Sequence, residues 1–189
     1  ARFGPARPML DVWFKDANTG WVVGSYGQIF ETNDGGSSWN LIANRLDNPD
    51  FRHYNGLYGD DTGLLLIAGE AGRVYISKDF GANWTRSETG YNGHFYGTVV
   101  TRNEQGQPIV FAYGFGGNVY RLGAGATDWW QLKSPTKESL VQGITVGKTA
   151  LFVDQKGRLV STDEPGTVLK MVSAEEGKPV TGMALVNNT

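Results

Sequence analysis

Thr32-Asn-Asp-Gly-Gly-Ser-Ser-Trp39 is the stretch that decides the fold, because the chain returns to this pattern at a fixed interval. Forty-five residues later the sequence reads Ser77-Lys-Asp-Phe-Gly-Ala-Asn-Trp84, and another forty-five bring a weaker copy, Leu122-Gly-Ala-Gly-Ala-Thr-Asp-Trp129. A fourth segment, Thr162-Asp-Glu-Pro-Gly-Thr-Val-Leu169, keeps only the Thr and the Gly of the pattern. Repetition at this period predicts an array of equivalent supersecondary units.

The residue types of the two complete copies suit a tight turn between two antiparallel strands. The Asp carboxylate can accept hydrogen bonds from backbone amides and from the Ser or Thr hydroxyl, while Gly permits positive φ. The Trp then returns the chain to the core, where we also expect Trp13 and Trp21. The residues predicted to have this structural role are Thr32, Asp34, Gly36, Trp39, Ser77, Asp79, Gly81, Trp84 and Trp129.

The composition favours many short strands joined by tight turns, because the 189 residues include 27 Gly, 6 Trp, 8 Tyr and 9 Phe. The formal charge is −2, and no basic run could follow a phosphate backbone, so we expect no nucleic-acid partner. The absence of cysteine excludes disulfides and thiolate metal sites. No apolar run is long enough to span a bilayer.

Each repeat can be divided into four short strands, which predicts an all-β protein, a β-propeller built of four-stranded antiparallel blades. The four blades are expected at residues 10–43, 53–88, 94–134 and 140–174, and residues 179–186 repeat the opening strand of a further blade. An opening strand without its sheet would leave backbone groups unpaired. We therefore expect residues 1–189 to be a single propeller or a fragment of a larger ring. A complete four-bladed ring with one extra strand is the alternative.

The resemblance to a known family rests on Phe14-Lys-Asp-Ala-Asn-Thr-Gly-Trp-Val-Val-Gly24 followed by Gly27-Gln-Ile-Phe-Glu-Thr-Asn-Asp-Gly-Gly-Ser-Ser-Trp39. These segments resemble the blade signature of the photosynthesis system II assembly-factor-related propellers, and the octapeptides resemble the Asp-box, or bacterial neuraminidase repeat. The segment Asp47-Asn-Pro-Asp-Phe-Arg-His-Tyr-Asn-Gly-Leu57 resembles the proteobacterial, exported branch.

This resemblance implies a seven-bladed, non-enzymatic scaffold that binds protein partners during assembly of a membrane complex, without a cofactor. The client would be photosystem II in photosynthetic organisms, or a resistance-nodulation-division-type export system in other bacteria. The location would be periplasmic or otherwise exported, and the thylakoid lumen in a photosynthetic organism.

The two histidines fall at one repeat position when the opening strands are aligned on Gly56, Gly97, Gly143 and Gly182. Loops that enter the innermost strands lie at one mouth of a propeller, where partners dock, and Tyr and Arg are enriched at binding hot spots. The alternatives are that each His bonds an inter-blade loop and that the aromatic residues pack between blades. The candidate partner-binding residues are Arg52, His53, Tyr54, Tyr91, Asn92, His94, Phe95 and Tyr96.

A glycoside hydrolase of sialidase type is the rival function, because sialidases carry the same boxes. Their chemistry needs three arginines for the substrate carboxylate, a Tyr nucleophile with a Glu, and an acidic proton donor. Arg73, Arg121 and Arg158 recur at one expected repeat position, yet no acid–base pair accompanies them. A carbohydrate-binding propeller is a further alternative. We predict no catalytic residue and no metal site, since two histidines without a third ligand make a poor one.

Overall fold

The computed structural model describes residues 7–173 and 179–184, and its strands form four sheets of four strands each. Every sheet is an antiparallel meander in chain order. The first sheet contains β1 (Met9–Phe14), β2 (Gly20–Gly24), β3 (Ile29–Thr32) and β4 (Asn40–Leu41). The second contains β5 (Tyr54–Gly59), β6 (Leu65–Gly69), β7 (Arg73–Ser77) and β8 (Thr85–Glu88).

The third sheet contains β9 (Phe95–Arg102), β10 (Pro108–Gly114), β11 (Val119–Leu122) and β12 (Trp129–Leu132). The fourth contains β13 (Leu140–Val146), β14 (Thr149–Asp154), β15 (Leu159–Thr162) and β16 (Leu169–Ser173). The prediction of an all-β protein with four-stranded antiparallel blades is confirmed. Of the further strand predicted at 179–186, residues 179–184 are described without strand structure, and 185 and 186 lie outside the described residues.

The chain divides into two compact units, residues 1–92 and 93–189, each holding two sheets and its own core. In the first unit the core includes Trp21, Tyr54, Leu65 and Tyr75, all almost completely buried. In the second unit the corresponding cluster includes Phe111, Leu140, Phe152 and Val160.

Within each unit, the two sheets meet along their first strands, β1 beside β5 and β9 beside β13. Asp11 Oδ2 accepts a hydrogen bond from Leu57 N at 2.8 Å, and Thr145 Oγ1 donates to Val100 O at 2.7 Å. The first strands are therefore joined by polar contacts as well as by apolar packing.

A β-bulge near the start of every first strand gives the four sheets a common register. The carbonyl just before that strand accepts a hydrogen bond from the turn after the second strand. This occurs at His53 (Glu70 N, 3.3 Å) and at His94 (Phe115 N, 3.0 Å), which places the histidines at equivalent positions. The sequence alignment is wrong by one residue in the fourth sheet. Gln142, not Gly143, is the residue that follows the bulge.

The two complete octapeptides form hydrogen-bonded turns between third and fourth strands. In the first, Thr32 Oγ1 donates to Asp34 Oδ1 at 2.8 Å and accepts from Gly36 N at 2.9 Å. Asp34 also accepts hydrogen bonds from the hydroxyl and the N–H of Ser38, and these lower the pKa of the Asp34 carboxyl from 3.8 to about 2. The side chains of this turn therefore bind one another, and its carboxylate is held in the ionised form.

The second octapeptide repeats this geometry. Ser77 Oγ donates to Asp79 Oδ1 at 2.8 Å and accepts from Gly81 N at 2.8 Å. The side chain and the N–H of Asn83 bond the Asp79 carboxylate and lower its pKa. Gly81 has a φ of 78°, a left-handed conformation that favours glycine.

The tryptophans do not all lie in the core as predicted. Trp21 is 1% exposed and Trp84 packs against the core of the first unit, but Trp39 is 36% exposed. Trp39 meets Phe14 edge-on, with ring centroids 6.0 Å apart. It lies there because Phe14 points to the opposite face of β1 from Trp13, which packs on the core.

The remaining two octapeptides are less regular. In the third, Trp129 is half-buried. In the fourth, Asp163 supplies the turn carboxylate one position earlier than the pattern requires. Its Oδ1 accepts hydrogen bonds from Thr167 N at 2.6 Å and from Val168 N at 3.0 Å. The sequence pattern missed this residue because the carboxylate reaches the same amides from a shifted position.

Candidate functional site

The mouth end of a sheet is the end where its first strand begins and where the turn between its second and third strands lies. In the first unit this turn is the 3-10 turn Ser25–Gly27. The Tyr26 ring at its centre is half exposed and stands 4.8 Å from the His53 ring at 65°. The Arg7 guanidinium lies 5.7 Å from the Tyr26 ring centroid. Cationic and aromatic groups therefore share one exposed surface.

Tyr26 has a φ of 57°, a left-handed conformation that non-glycine residues rarely adopt. The equivalent position is Ala71 in the second sheet, with φ 54°, and Gly116 in the third, with φ 66°. A side chain in this conformation costs about 1 kcal/mol or more. The conformation recurs at this turn in three sheets, and of the three residues Tyr26 is the one that places an exposed aromatic ring there.

The loop that leads to His53 is held rigidly by Asn48. Its Nδ2 donates to Arg52 O at 2.9 Å, and its Oδ1 accepts from Arg52 N at 3.0 Å. Phe51 in this loop is 67% exposed and also left-handed, with φ 53°. His53 N donates to Glu70 Oε2 at 2.9 Å. The backbone is thus fixed while the Phe51 and Arg52 side chains remain exposed.

Two of the predicted partner-binding residues are buried, and the prediction that they contact a partner is corrected. Tyr54 is 1% exposed and packs edge-on against Tyr75, and its burial raises the pKa of its hydroxyl. Phe95 is fully buried and meets Tyr120 edge-on at 5.6 Å. Both are the first paired residues of their strands and point into a core.

The other predicted residues reach the surface to different extents. In the first unit Arg52 and Asn92 are exposed, while His53 and Tyr91 are half-buried. In the second unit His94 is exposed and Tyr96 is half-buried against the core. Sequence reasoning missed Tyr26, Phe51 and Phe115, which are 50%, 67% and 55% exposed. Tyr26 could have been identified from the sequence as a large aromatic residue inside a Gly-x-x-Gly turn.

The three arginines considered for a sialidase-type site have separate structural partners. Arg73 Nη2 lies 2.8 Å from Asp50, Arg158 Nη2 lies 2.8 Å from Asp154, and Arg121 Nη2 donates to Pro165 O at 3.1 Å. The prediction of one shared repeat position is wrong for Arg121, because Asn118 is the counterpart of Arg158. The carbonyls of Asn118 and Arg158 each accept a hydrogen bond from the N–H of the last residue of the second strand in their sheet.

Residues 7–173 and 179–184 contain no group of three or more His, Asp or Glu side chains that could hold a metal ion. No helix in this part of the chain is long and apolar enough to cross a membrane.

Comparison with known proteins identifies the family to which the chain belongs. The family described as photosynthesis system II assembly factor YCF48 matches residues 4–177. The chain belongs to this family. Over 78 residues it is 44% identical to the photosystem II assembly lipoprotein Ycf48 of Synechococcus sp. (strain CC9902), a match that covers 41% of this chain and 23% of the relative.

Two solved structures have a similar fold. YCF48 bound to D1 peptide superposes with a TM-score of 0.67 at 18% identity, covering 94% of this chain and 57% of that one. An ancestral GH74 enzyme superposes with a TM-score of 0.65 at 14% identity, covering 90% of this chain and 26% of that one. At these identities the likeness shows the fold alone. The chain spans about a quarter of the lipoprotein and a little over half of the solved YCF48.

Proposed function

We propose that this chain is part of a non-catalytic assembly factor that binds a protein segment of a membrane complex. Membership of the YCF48 family supports the proposal. The observation that carries it is the mouth end of the first unit, where exposed Tyr26 is held in a left-handed conformation between Arg7 and His53. Exposed aromatic and cationic side chains on a rigid backbone suit recognition of an acidic or aromatic peptide.

The proposed contact residues differ from the sequence-based set by the removal of two buried side chains and the addition of three exposed ones. On the first unit they are Tyr26, Phe51, Arg52, His53, Tyr91 and Asn92. On the second unit they are His94, Tyr96 and Phe115.

The relatives supply the first candidate for the client. One relative is a photosystem II assembly lipoprotein and a structural neighbour is bound to D1 peptide, so a D1 peptide is the first probe. The lipoprotein also supports an exported or lumenal location. The segment 47–57, which resembles the proteobacterial branch, supports the alternative of a periplasmic partner of an export system.

The octapeptide geometry supports the Asp-box interpretation. The match covers 57% of the solved YCF48, which supports a larger ring.

The proposal of a non-catalytic protein is supported by the arginines. Each of the three is engaged by its own part of the fold, through Asp50, Pro165 or Asp154. The GH74 neighbour supports no activity, because it is only 14% identical.

Titration of a fluorescently labelled D1 peptide, followed by anisotropy, tests this proposal. We expect saturable binding that weakens roughly tenfold in Arg52→Gln, because a charged hydrogen bond would be lost. Arg45→Gln is the matched control, since Arg45 is held by Glu31 and by Gly81 O on the same unit. Equal binding by both variants would contradict the proposed surface. Hydrolysis of a fluorogenic sialoside would contradict the non-catalytic assignment.

A further inference from the structure

A cavity of about 580 Å³ opens in the second unit at the end of its sheets opposite the mouth. It lies among hairpin turns of the third and fourth sheets. The side chains that matter for its chemistry are Arg102, Glu104, Arg121, Lys148 and Glu164. The surface discussed above, at the mouth end, is at the other end of the sheets, so this cavity is a distinct site.

At the corresponding place in the first unit, an aromatic side chain packs on the core. Gly81 of the second octapeptide lies against Trp21, as Gly166 of the fourth lies against Phe111. The residue before Gly81 is Phe80, whose ring stacks on Trp21 at 6.4 Å and is capped by Lys15 Nζ at 4.2 Å. The residue before Gly166 is Pro165, a smaller side chain. The position before the octapeptide glycine therefore carries a ring packed on the core in one unit and a smaller side chain beside the cavity in the other.

Arg121 forms one wall of the cavity and is fixed in place. Its guanidinium lies 5.2 Å from the Trp130 ring centroid, and Nη2 donates to Pro165 O at 3.1 Å. Its Nε is buried and has no hydrogen-bond partner among the described residues. Burial lowers the pKa of Arg121, although the nearby Asp163 opposes this shift. A positively charged group is thus held in the wall of the cavity.

The charges around the cavity favour an anion. Arg102 and Arg121 are half-buried, while Glu104 is exposed and the side chain of Glu164 is 72% exposed. Lys148 Nζ lies 3.9 Å from Glu164, a surface pair that contributes little. Asp163 lies near Arg121 and is not part of the lining. The lining itself presents three cationic side chains against two carboxylates, which favours an anion over a cation.

We propose that this cavity binds a small oxyanion, a phosphate or a carboxylate, between Arg121, Arg102 and Lys148. A guanidinium stacked on an aromatic ring presents its N–H edge with little loss of conformational entropy. Phosphate and carboxylate are the groups that this planar fork matches. The site goes beyond the proposed peptide surface and does not depend on it.

The test uses the indole N–H signal of Trp130 in a ¹⁵N NMR spectrum of the full chain, because Trp130 stacks on Arg121. Inorganic phosphate and acetate are titrated separately, with NaCl keeping the ionic strength constant. We expect a saturable shift with a Kd on the order of 1 mM. A response to phosphate alone identifies a phosphate site, and a response to acetate alone identifies a carboxylate site.

Three variants make the result decisive. Arg121→Gln should abolish the shift, whereas Arg45→Gln should retain it, since Arg45 likewise donates to an octapeptide carbonyl, Gly81 O. Lys148→Gln leaves the Arg121 packing intact and should weaken binding roughly tenfold. A linear, unsaturated drift in the parent chain, or an unchanged Kd in Lys148→Gln and Arg121→Gln, would overturn the proposal.

Discussion

Asp154 occupies a position that the other three sheets give to glycine, at the end of the second strand. A Cβ at Gly69 would stand 2.7 Å from His53 O, which explains the glycine there. Asp154 is fully buried, and its Oδ1 accepts hydrogen bonds from the N–H groups of Lys156 and Arg158. Burial opposes its ionisation, but the Arg158 N–H and guanidinium keep the pKa of Asp154 below its ordinary value.

Asp154→Asn should lower the free energy of unfolding by about 3 kcal/mol, because it leaves the Arg158 charge without its partner. The double variant Asp154→Gly with Arg158→Asn copies Gly114 and Asn118 of the third sheet and should recover most of that loss. Urea unfolding of the single and double variants measures both values. A loss below about 1 kcal/mol in Asp154→Asn would contradict a structural role for the pair.

The two complete octapeptide turns contain carboxyl groups that make their stability sensitive to acid. The pKa of the Asp34 carboxyl falls from its ordinary value of 3.8 to about 2 in the fold. The folded state therefore takes up this proton at a lower pH than the unfolded chain does. The turn therefore contributes its full stabilisation above the ordinary pKa and loses it as the pH falls toward 2.

Asp34→Asn removes this titration while keeping an oxygen that can accept from Ser38 N. The variant should be less stable than the parent chain at pH 7, and the difference should disappear as the pH is lowered through the window between the two pKa values. Thermal unfolding followed by circular dichroism from pH 7 to pH 2 measures it. A difference that stays constant over this range would exclude the carboxylate as the cause.

The tryptophan that closes each of the two complete octapeptides should contribute according to its burial. Trp84 packs on the core of the first unit and donates from Nε1 to Gly81 O at 3.1 Å, so Trp84→Ala should cost about 3 kcal/mol. Trp39 is 36% exposed, so Trp39→Ala should cost clearly less. Equal losses in urea unfolding would show that burial does not determine how much each tryptophan contributes to stability.

The strands and turns could be predicted from the sequence more reliably than the burial of individual side chains. The spacing of Asp34 and Asp79 predicted both turns, because the bonding within an octapeptide is local. The exposure of Trp39 and the burial of Tyr54 could not be predicted in this way. They depend on which face of a strand meets the neighbouring sheet, and a bulge changes that face by one residue. Asp163 was missed because its position is shifted along the chain.

At the level of the complete chain, the repeat supplies a scaffold and its departures from regularity supply the candidate sites. Tyr26 stands where another sheet has Gly116, and Pro165 stands where another has Phe80. The first departure places an aromatic residue with a left-handed backbone at a mouth end. The second places a smaller side chain beside the cavity at the opposite end of its unit. Both changes replace local packing by surface that a ligand can contact.

The most direct test of the proposed recognition surface is Tyr26→Gly, measured for peptide binding and for stability in the same preparation. Glycine relieves the left-handed strain, so the free energy of unfolding should stay the same or rise by up to about 1 kcal/mol. Loss of the exposed ring should nevertheless weaken D1-peptide binding by about tenfold or more. Undiminished binding, or weaker binding that merely follows a loss of stability, would contradict the assignment of this surface to partner recognition.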